Sequence, residues 1–127
     1  MSKSLLELVH RAALLAQSQA GGSSVSVGEF PGGTHTHAGL TRHYKLYVPP
    51  HHAGRALPLV VMLHGCSQDP DDFASGTAMN ERAREKGFFV LYPEQSSEAN
   101  PGRCWNWFKH NHQARGRGEP ALIASLT

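Results

Sequence analysis

Eleven consecutive residues, Pro58-Leu59-Val60-Val61-Met62-Leu63-His64-Gly65-Cys66-Ser67-Gln68, constrain the fold more than any other part of the chain. The run from 58 to 63 is aliphatic, rich in β-branched types and free of polar alternation, which predicts a strand covered on both faces, as in a parallel sheet between helices. It stops abruptly at His64-Gly65. In open α/β sheets ligands gather at the carboxyl ends of the strands, so the chemistry is expected in the turn carrying His64, Gly65 and Cys66.

The flanking patterns build a sheet around this strand. Residues 41–48, Thr-Arg-His-Tyr-Lys-Leu-Tyr-Val, alternate so that Tyr44, Leu46 and Val48 share one face, and Pro49-Pro50 ends them. Before them, Phe30-Pro31-Gly32-Gly33 reads as a turn and residues 34–40 as an edge hairpin. Asp69-Pro70-Asp71-Asp72 has the proline and carboxylates of a helix start, and Lys86-Gly87 is a stop, which predicts one helix of about a dozen residues between them. Phe88-Phe89-Val90-Leu91-Tyr92 is a second apolar strand closed by Pro93. Strand, helix, strand makes a right-handed βαβ unit, so the two apolar strands are expected to run parallel. A polar loop at 95–103 turns at Asn100-Pro101-Gly102, a basic glycine-punctuated loop fills 109–118, and Glu119-Pro120 opens a final helix.

The first twenty residues contain enough leucine, valine and alanine to raise the question of a leader, but Glu7, His10 and Arg11 interrupt the run. Leu5, Leu8 or Val9, Ala12, and Leu15 or Ala16 fall at helical spacing instead, predicting an amphipathic helix that docks on the domain, the alternative being a membrane surface, for which its polar face has too few cationic residues. Ala20-Gly21-Gly22-Ser23-Ser24 has linker composition, so residues 1–24 read as helix and linker and 25–127 as the folded unit. No apolar run approaches the roughly 20 residues that span a bilayer. A net charge of +2 is too small to imply a polyanionic partner, although nine histidines add positive charge below about pH 6.5.

Five blocks in order, the 58–68 run, Asp72-Phe-Ala-Ser-Gly-Thr-Ala-Met-Asn80, Gly87-Phe-Phe-Val-Leu-Tyr-Pro-Glu-Gln95, Cys104-Trp-Asn-Trp-Phe108 and Gly116-Arg-Gly-Glu-Pro-Ala121, together resemble the polyhydroxybutyrate depolymerase family of esterases. The resemblance covers residues 44–127 and implies an α/β-hydrolase fold related to feruloyl and acetylxylan esterases. It also implies a Ser-His-Asp mechanism, with the serine in Gly-x-Ser-x-Gly and the order serine, aspartate, histidine. The sequence contains no Gly-x-Ser-x-Gly. The expectation is therefore an incomplete α/β-hydrolase, the amino-terminal part of the sheet ending before the nucleophile elbow, with the triad absent and no ester turnover by this chain alone. The exposed edge of 59–63 would then favour self-association or pairing with the missing carboxyl-terminal half. A non-catalytic remnant or one half of a split gene is the alternative.

Within this frame the resemblance assigns the oxyanion donor to the Cys66 backbone N–H, supported by His64 and Gly65. Cys66 and Cys104 are the only cysteines. Chemically they admit a bridge, two free thiols or a Cys-His pair; the resemblance implies the bridge. Trp105 and Trp107 alternate across Asn106, so each is either a core residue or an aromatic wall for an acyl chain. No cofactor and no metal is expected. The family resemblance and a disulfide suggest an extracellular location, while the charged first helix does not read as an export signal.

Two rival readings rest on particular residues. His35 and His37, with His110 and His112, offer two His-x-His pairs able to chelate zinc or nickel, but no carboxylate or cysteine stands beside either pair at ligand spacing and both pairs read as polar loops, so solvated loop histidines are expected. Lys109, Arg115 and Arg117 near Trp105 and Trp107 resemble a single-strand grip, but three charges are a thin footprint and no nucleic acid is expected.

Overall fold

The computed structural model describes residues 2–18, 27–50, 52 and 56–127. The linker expected at 20–24 and most of the loop at 51–56 lie outside the described residues. The elements are α1 (Lys3–Ser18), β1 (Gly32–His37), β2 (Leu40–Tyr47), β3 (Leu59–Val61), α2 (Pro70–Thr77), α3 (Met79–Lys86), β4 (Phe89–Pro93), a 3-10 turn (His110–His112) and α4 (Gly118–Leu126). The strands form one mixed sheet in the order β1-β2-β4-β3.

β4 is the inner strand that joins the two halves of the sheet. It pairs antiparallel with β2 and parallel with β3, as the βαβ pattern requires. All five of its residues are buried, and their alternation feeds two cores. Phe89 and Leu91 join Tyr44, Leu46 and Val48 on the face covered by Leu5 and Leu8 of α1 and Leu126 of α4. Val90 and Tyr92 join Tyr47 on the opposite face, under Ala74 of α2 and Ala83 of α3. Leu5 and Leu8 are fully buried, which contributes about 1.5 to 3 kcal/mol for each side chain. The side chains of Ala12, Leu15 and Ala16, the rest of the apolar stripe, lie outside the described ones. No described helix is long and apolar enough to cross a membrane.

Three local expectations need correction. The 58–63 run gives a strand of only three residues, each half-buried, because β3 stands at the sheet edge with no strand beyond it among the described residues. Phe89 N–H to Pro58 O and Met62 N–H to Leu91 O extend its pairing with β4 on the inner side only. The single helix expected after Asp69 is two. Asp69 caps α2 by accepting from Asp72 N–H, and Gly87 closes α3 in the left-handed region as expected, but Ala78 between them is also left-handed, at φ 53°. The Thr77 hydroxyl donates back to Phe73 O, a local bond that competes with helix continuation. Finally, Gly32 and Gly33 are strand, not turn, paired with Lys45 and Tyr44. A side chain at Gly33 would collide with the Tyr44 ring, whose hydroxyl lies 2.7 Å from where its Cβ would sit. The hairpin turns instead at Ala38-Gly39, both at positive φ, the geometry that matches the twist of two-residue hairpins.

Candidate functional site

The chain leaves β3 at Val61 and enters the His64 turn at the carboxyl end of the strand. Gly65 N–H donates to Gln68 Oε1 at 2.8 Å, and Gln68 N–H returns to Gly65 O at 3.2 Å. A Cβ on Gly65 would sit 2.8 Å from that same Oε1, so a side chain there would displace the Gln68 amide that its own N–H holds. Ser67 is left-handed at φ 62° and donates its N–H to Gly102 O at 2.7 Å. Cys66 stands exposed between these two bonded amides, and no described residue accepts a hydrogen bond from its N–H.

A second loop, 95–106, clamps this turn. Cys66 and Cys104 are joined by a disulfide, closing a sequence separation of 38. Arg103 donates to Ser67 O at 3.1 Å, and Trp105 Nε1–H donates to His64 O at 3.1 Å. The Trp105 ring packs against the His64 ring with centroids 5.5 Å apart. Trp105 thus belongs to the turn, whereas Trp107 is 73% exposed and meets only Phe108 edge-on among the described rings. The two tryptophans are not brought together into one wall.

His64 is buried, and both ring nitrogens are in use. Nδ1 lies 2.7 Å from Gly65 O, which can only accept, so Nδ1 carries the proton; Nε2 accepts from Gln95 N–H at 3.0 Å. The ring is held in one orientation with no free lone pair. It has nothing left with which to take a proton, and its two bonds tie it to Gly65 O in the turn and to Gln95 N–H in the loop after β4.

Beneath the turn lies a buried polar cluster that the sequence did not single out as a site. Glu119, at the start of α4, accepts from Asn106 N–H at 2.6 Å, Asn106 Nδ2 at 2.9 Å and Gln95 Nε2 at 2.5 Å, and Arg42 of β2 approaches it at 3.9 Å. Asn100 fixes the end of the loop by accepting from Gly102 N–H and donating to Asn106 Oδ1. No buried side-chain nitrogen or oxygen is left without a partner among the described residues. Gln95 follows an apolar strand at its carboxyl end, and that position was the one available signal. A cleft of about 410 Å³, lined by Arg42, Gln95, Ser96 and Arg103 among others, opens beside this cluster.

The rival residues are placed elsewhere. His35 and His37 lie on β1 rather than in a loop, and His35 is half-buried, contacting Ser4 Oγ through Nδ1 and Ser125 Oγ through Nε2. His112 Nδ1 accepts from Glu119 N–H at 2.9 Å and so caps α4. Each of these two histidines therefore has a structural task in the fold. Lys109, Arg115 and Arg117 are exposed, as is Trp107, but Trp105 faces away from them into the His64 turn.

Residues 42–127 match the family model described as esterase PHB depolymerase. The chain is 40% identical over 70 residues to poly(3-hydroxyalkanoate) depolymerase C of Paucimonas lemoignei, covering 54% of this chain and 16% of that protein. It is 31% identical over 65 residues to feruloyl esterase B of Thermothelomyces thermophilus, covering 51% of this chain and 21% of that protein. The matched stretches thus span less than a quarter of either relative. The structure also resembles an S-formylglutathione hydrolase from Staphylococcus aureus, with a TM-score of 0.54 at 16% identity, over 77% of this chain and 38% of that one. That likeness shows the fold, part of an α/β-hydrolase sheet with its flanking helices. Since the family match runs from Arg42 through the His64 turn to the helix that carries Glu119, the chain belongs to the esterase PHB depolymerase family.

Proposed function

We propose that this chain supplies the sheet, the oxyanion donor and part of the acyl-binding wall of a serine carboxylic-ester hydrolase acting through an acyl-enzyme on polyhydroxyalkanoates or related esters. The donor is the Cys66 backbone N–H, with His64 and Gly65 shaping its turn and Trp105 lining the approach; Trp107, exposed and apart from Trp105, is not assigned to the wall. The unit is residues 25–127, preceded by a helix and linker at 1–24, and Leu5 and Leu8 of that helix pack on the sheet. The observation that carries the reading is the N–H of Cys66, an exposed residue in the turn after β3, which no described residue accepts while its neighbours on both sides are bonded. A preorganised amide of this kind stabilises a tetrahedral oxyanion, and removing one costs about 10²- to 10³-fold in rate. With no Gly-x-Ser-x-Gly in the sequence, the nucleophile comes from outside these residues and the chain alone does not turn over esters.

A second reading, a non-catalytic half that associates through its sheet edge, is favoured by β3 itself. Its outer side is unpaired among the described residues, and Leu63 just beyond it is 41% exposed. A disulfide fits an oxidising, extracellular setting for either reading.

The test has two stages. The purified chain is assayed with p-nitrophenyl acetate and butyrate and treated with a serine-directed phosphonate; no turnover and no mass adduct are expected. Residues 42–127 are then exchanged into the Paucimonas lemoignei depolymerase, and C66S/C104S is compared with C66P/C104S. Both variants lose the disulfide but only the proline loses the N–H, so the proline variant is expected to be slower by a further 10²- to 10³-fold. Equal rates in the two variants, or an adduct on the chain alone, would overturn the assignment.

A further inference from the structure

Gln95 uses its backbone N–H and both polar atoms of its side chain. Its backbone N–H holds His64 Nε2 at 3.0 Å. Its side-chain Nε2 donates to Cys104 O at 3.0 Å and Glu119 Oε2 at 2.5 Å, while Oε1 accepts from Arg42 Nε at 3.0 Å and Ser96 N–H at 3.1 Å. The residue is 1% exposed, so no water competes for these bonds from bulk. The amide has one orientation, since rotating it by half a turn would set its two N–H bonds against donors and its oxygen against a carboxylate and a carbonyl. Arg42 and Glu119 therefore fix the Gln95 side chain from opposite sides. Gln95 in turn grips both supports of Cys66: His64, two residues before it in the chain, and Cys104, bonded to it through sulfur.

We propose that Gln95, locked between Arg42 and Glu119, is the positioning residue for the oxyanion turn, setting the tautomer of His64 and the orientation of the Cys66 N–H. This rests on the ester-hydrolase reading for its catalytic meaning, but the positioning itself is a property of the chain alone. The three side chains come from β2, the loop after β4, and the start of α4, so the turn is registered against both halves of the fold. A cluster satisfied at every atom is rigid, while the same cluster with one mismatched group is strongly unfavourable.

The charge pattern supplies the test. Gln95→Glu sets a carboxylate against the Glu119 carboxylate and Cys104 O, removing two donors; Glu119→Gln in the same chain returns an amide that donates to the carboxylate at 95. The chain is labelled with ¹⁵N, and the His64 ring-nitrogen shifts and the exchange rate of the Ser67 amide, bonded to Gly102 O, are measured for wild type, Gln95→Glu and the double variant. Gln95→Glu is expected to move the His64 ring nitrogens off the Nδ1–H pattern and speed Ser67 exchange at least tenfold, with the double variant recovering most of both. Leu8→Ala, remote from the turn, is the control for lost stability and is expected to leave the His64 pattern in place. If Gln95→Glu does not fold, Arg42→Lys is read the same way, because it keeps a cation near Glu119 but loses the Nε–H that holds Gln95 Oε1. A His64 response no larger than in Leu8→Ala, or a double variant no closer to wild type than the single, would overturn the proposal. Failure of the ester-hydrolase reading would show instead as equal rates in the proline and serine chimeras with the turn still ordered.

Discussion

Breaking the disulfide separates two things it does. C66S/C104S removes a cross-link across a sequence separation of 38. In the chain-entropy model a loop of that size restricts the unfolded chain by about 4 kcal/mol, a large fraction of the roughly 5 to 15 kcal/mol that stabilises a typical domain. The native turn, however, keeps three other ties: Ser67 N–H to Gly102 O, Arg103 to Ser67 O, and Trp105 Nε1–H to His64 O. At about 1 kcal/mol net each, these are enough to keep the folded turn in place. The expected result is a double variant with native Trp105 fluorescence in buffer and a urea midpoint lower by about 2 M, taking a slope near 2 kcal/mol per M. A midpoint shift under about 0.5 M at unchanged slope would refute the reasoning, because it would mean that the bridge scarcely restricts the unfolded chain. Altered fluorescence without urea would refute the other half, that the hydrogen bonds suffice for the folded turn.

Leu8→Ala is expected to cost about 2 to 5 kcal/mol, since Leu8 is buried against the face of Tyr44 and Leu46, whereas Leu6→Ala, at a position 47% exposed, should stay within about 0.5 kcal/mol; equal urea midpoints for the two would mean that α1 does not dock as described. Burial, and then the neighbouring His37, lower the pKa of His35 below 6.5, so its neutral form is favoured in the fold. That stability is complete above about pH 6.5 and lost as pH falls through the lowered value; urea midpoints of wild type and His35→Gln should therefore diverge between pH 8 and pH 5, and parallel profiles would sink the idea. Burial pushes the Tyr92 hydroxyl up to about 12, so its contribution is complete below pH 10 and lost as pH rises through 12. Tyr92→Phe should lose about 1 kcal/mol at neutral pH with the bond to Asn80 Oδ1 and decline less steeply above pH 10, a difference measurable by circular dichroism against wild type.

What could be read from the sequence is what local period and local chemistry encode. The alternation at 41–48, the apolar strand at 88–92, the aspartate before Pro70 and the glycine after Lys86 act within a few residues, so β2, β4 and both outer ends of the α2–α3 segment fall where the pattern puts them. The block 58–68 with its four companions also carried the family, because short motifs keep the residues that a turn requires. The break at Ala78, the strand role of Gly33 and the half-buried state of β3 were not legible, since each depends on what packs from elsewhere: a threonine hydroxyl turned back on its helix, a tyrosine ring across the hairpin, and an edge without a neighbour. The same holds for the site. His64, Gly65 and Cys66 are adjacent in the chain and stand out as a turn, but Arg42, Gln95, Asn106 and Glu119 look like ordinary surface residues until folding buries them together. Local order can be written in a run of residues. The partner of a buried polar group is chosen only when distant segments meet, because only there does the loss of water make an unpaired donor or charge too costly to keep.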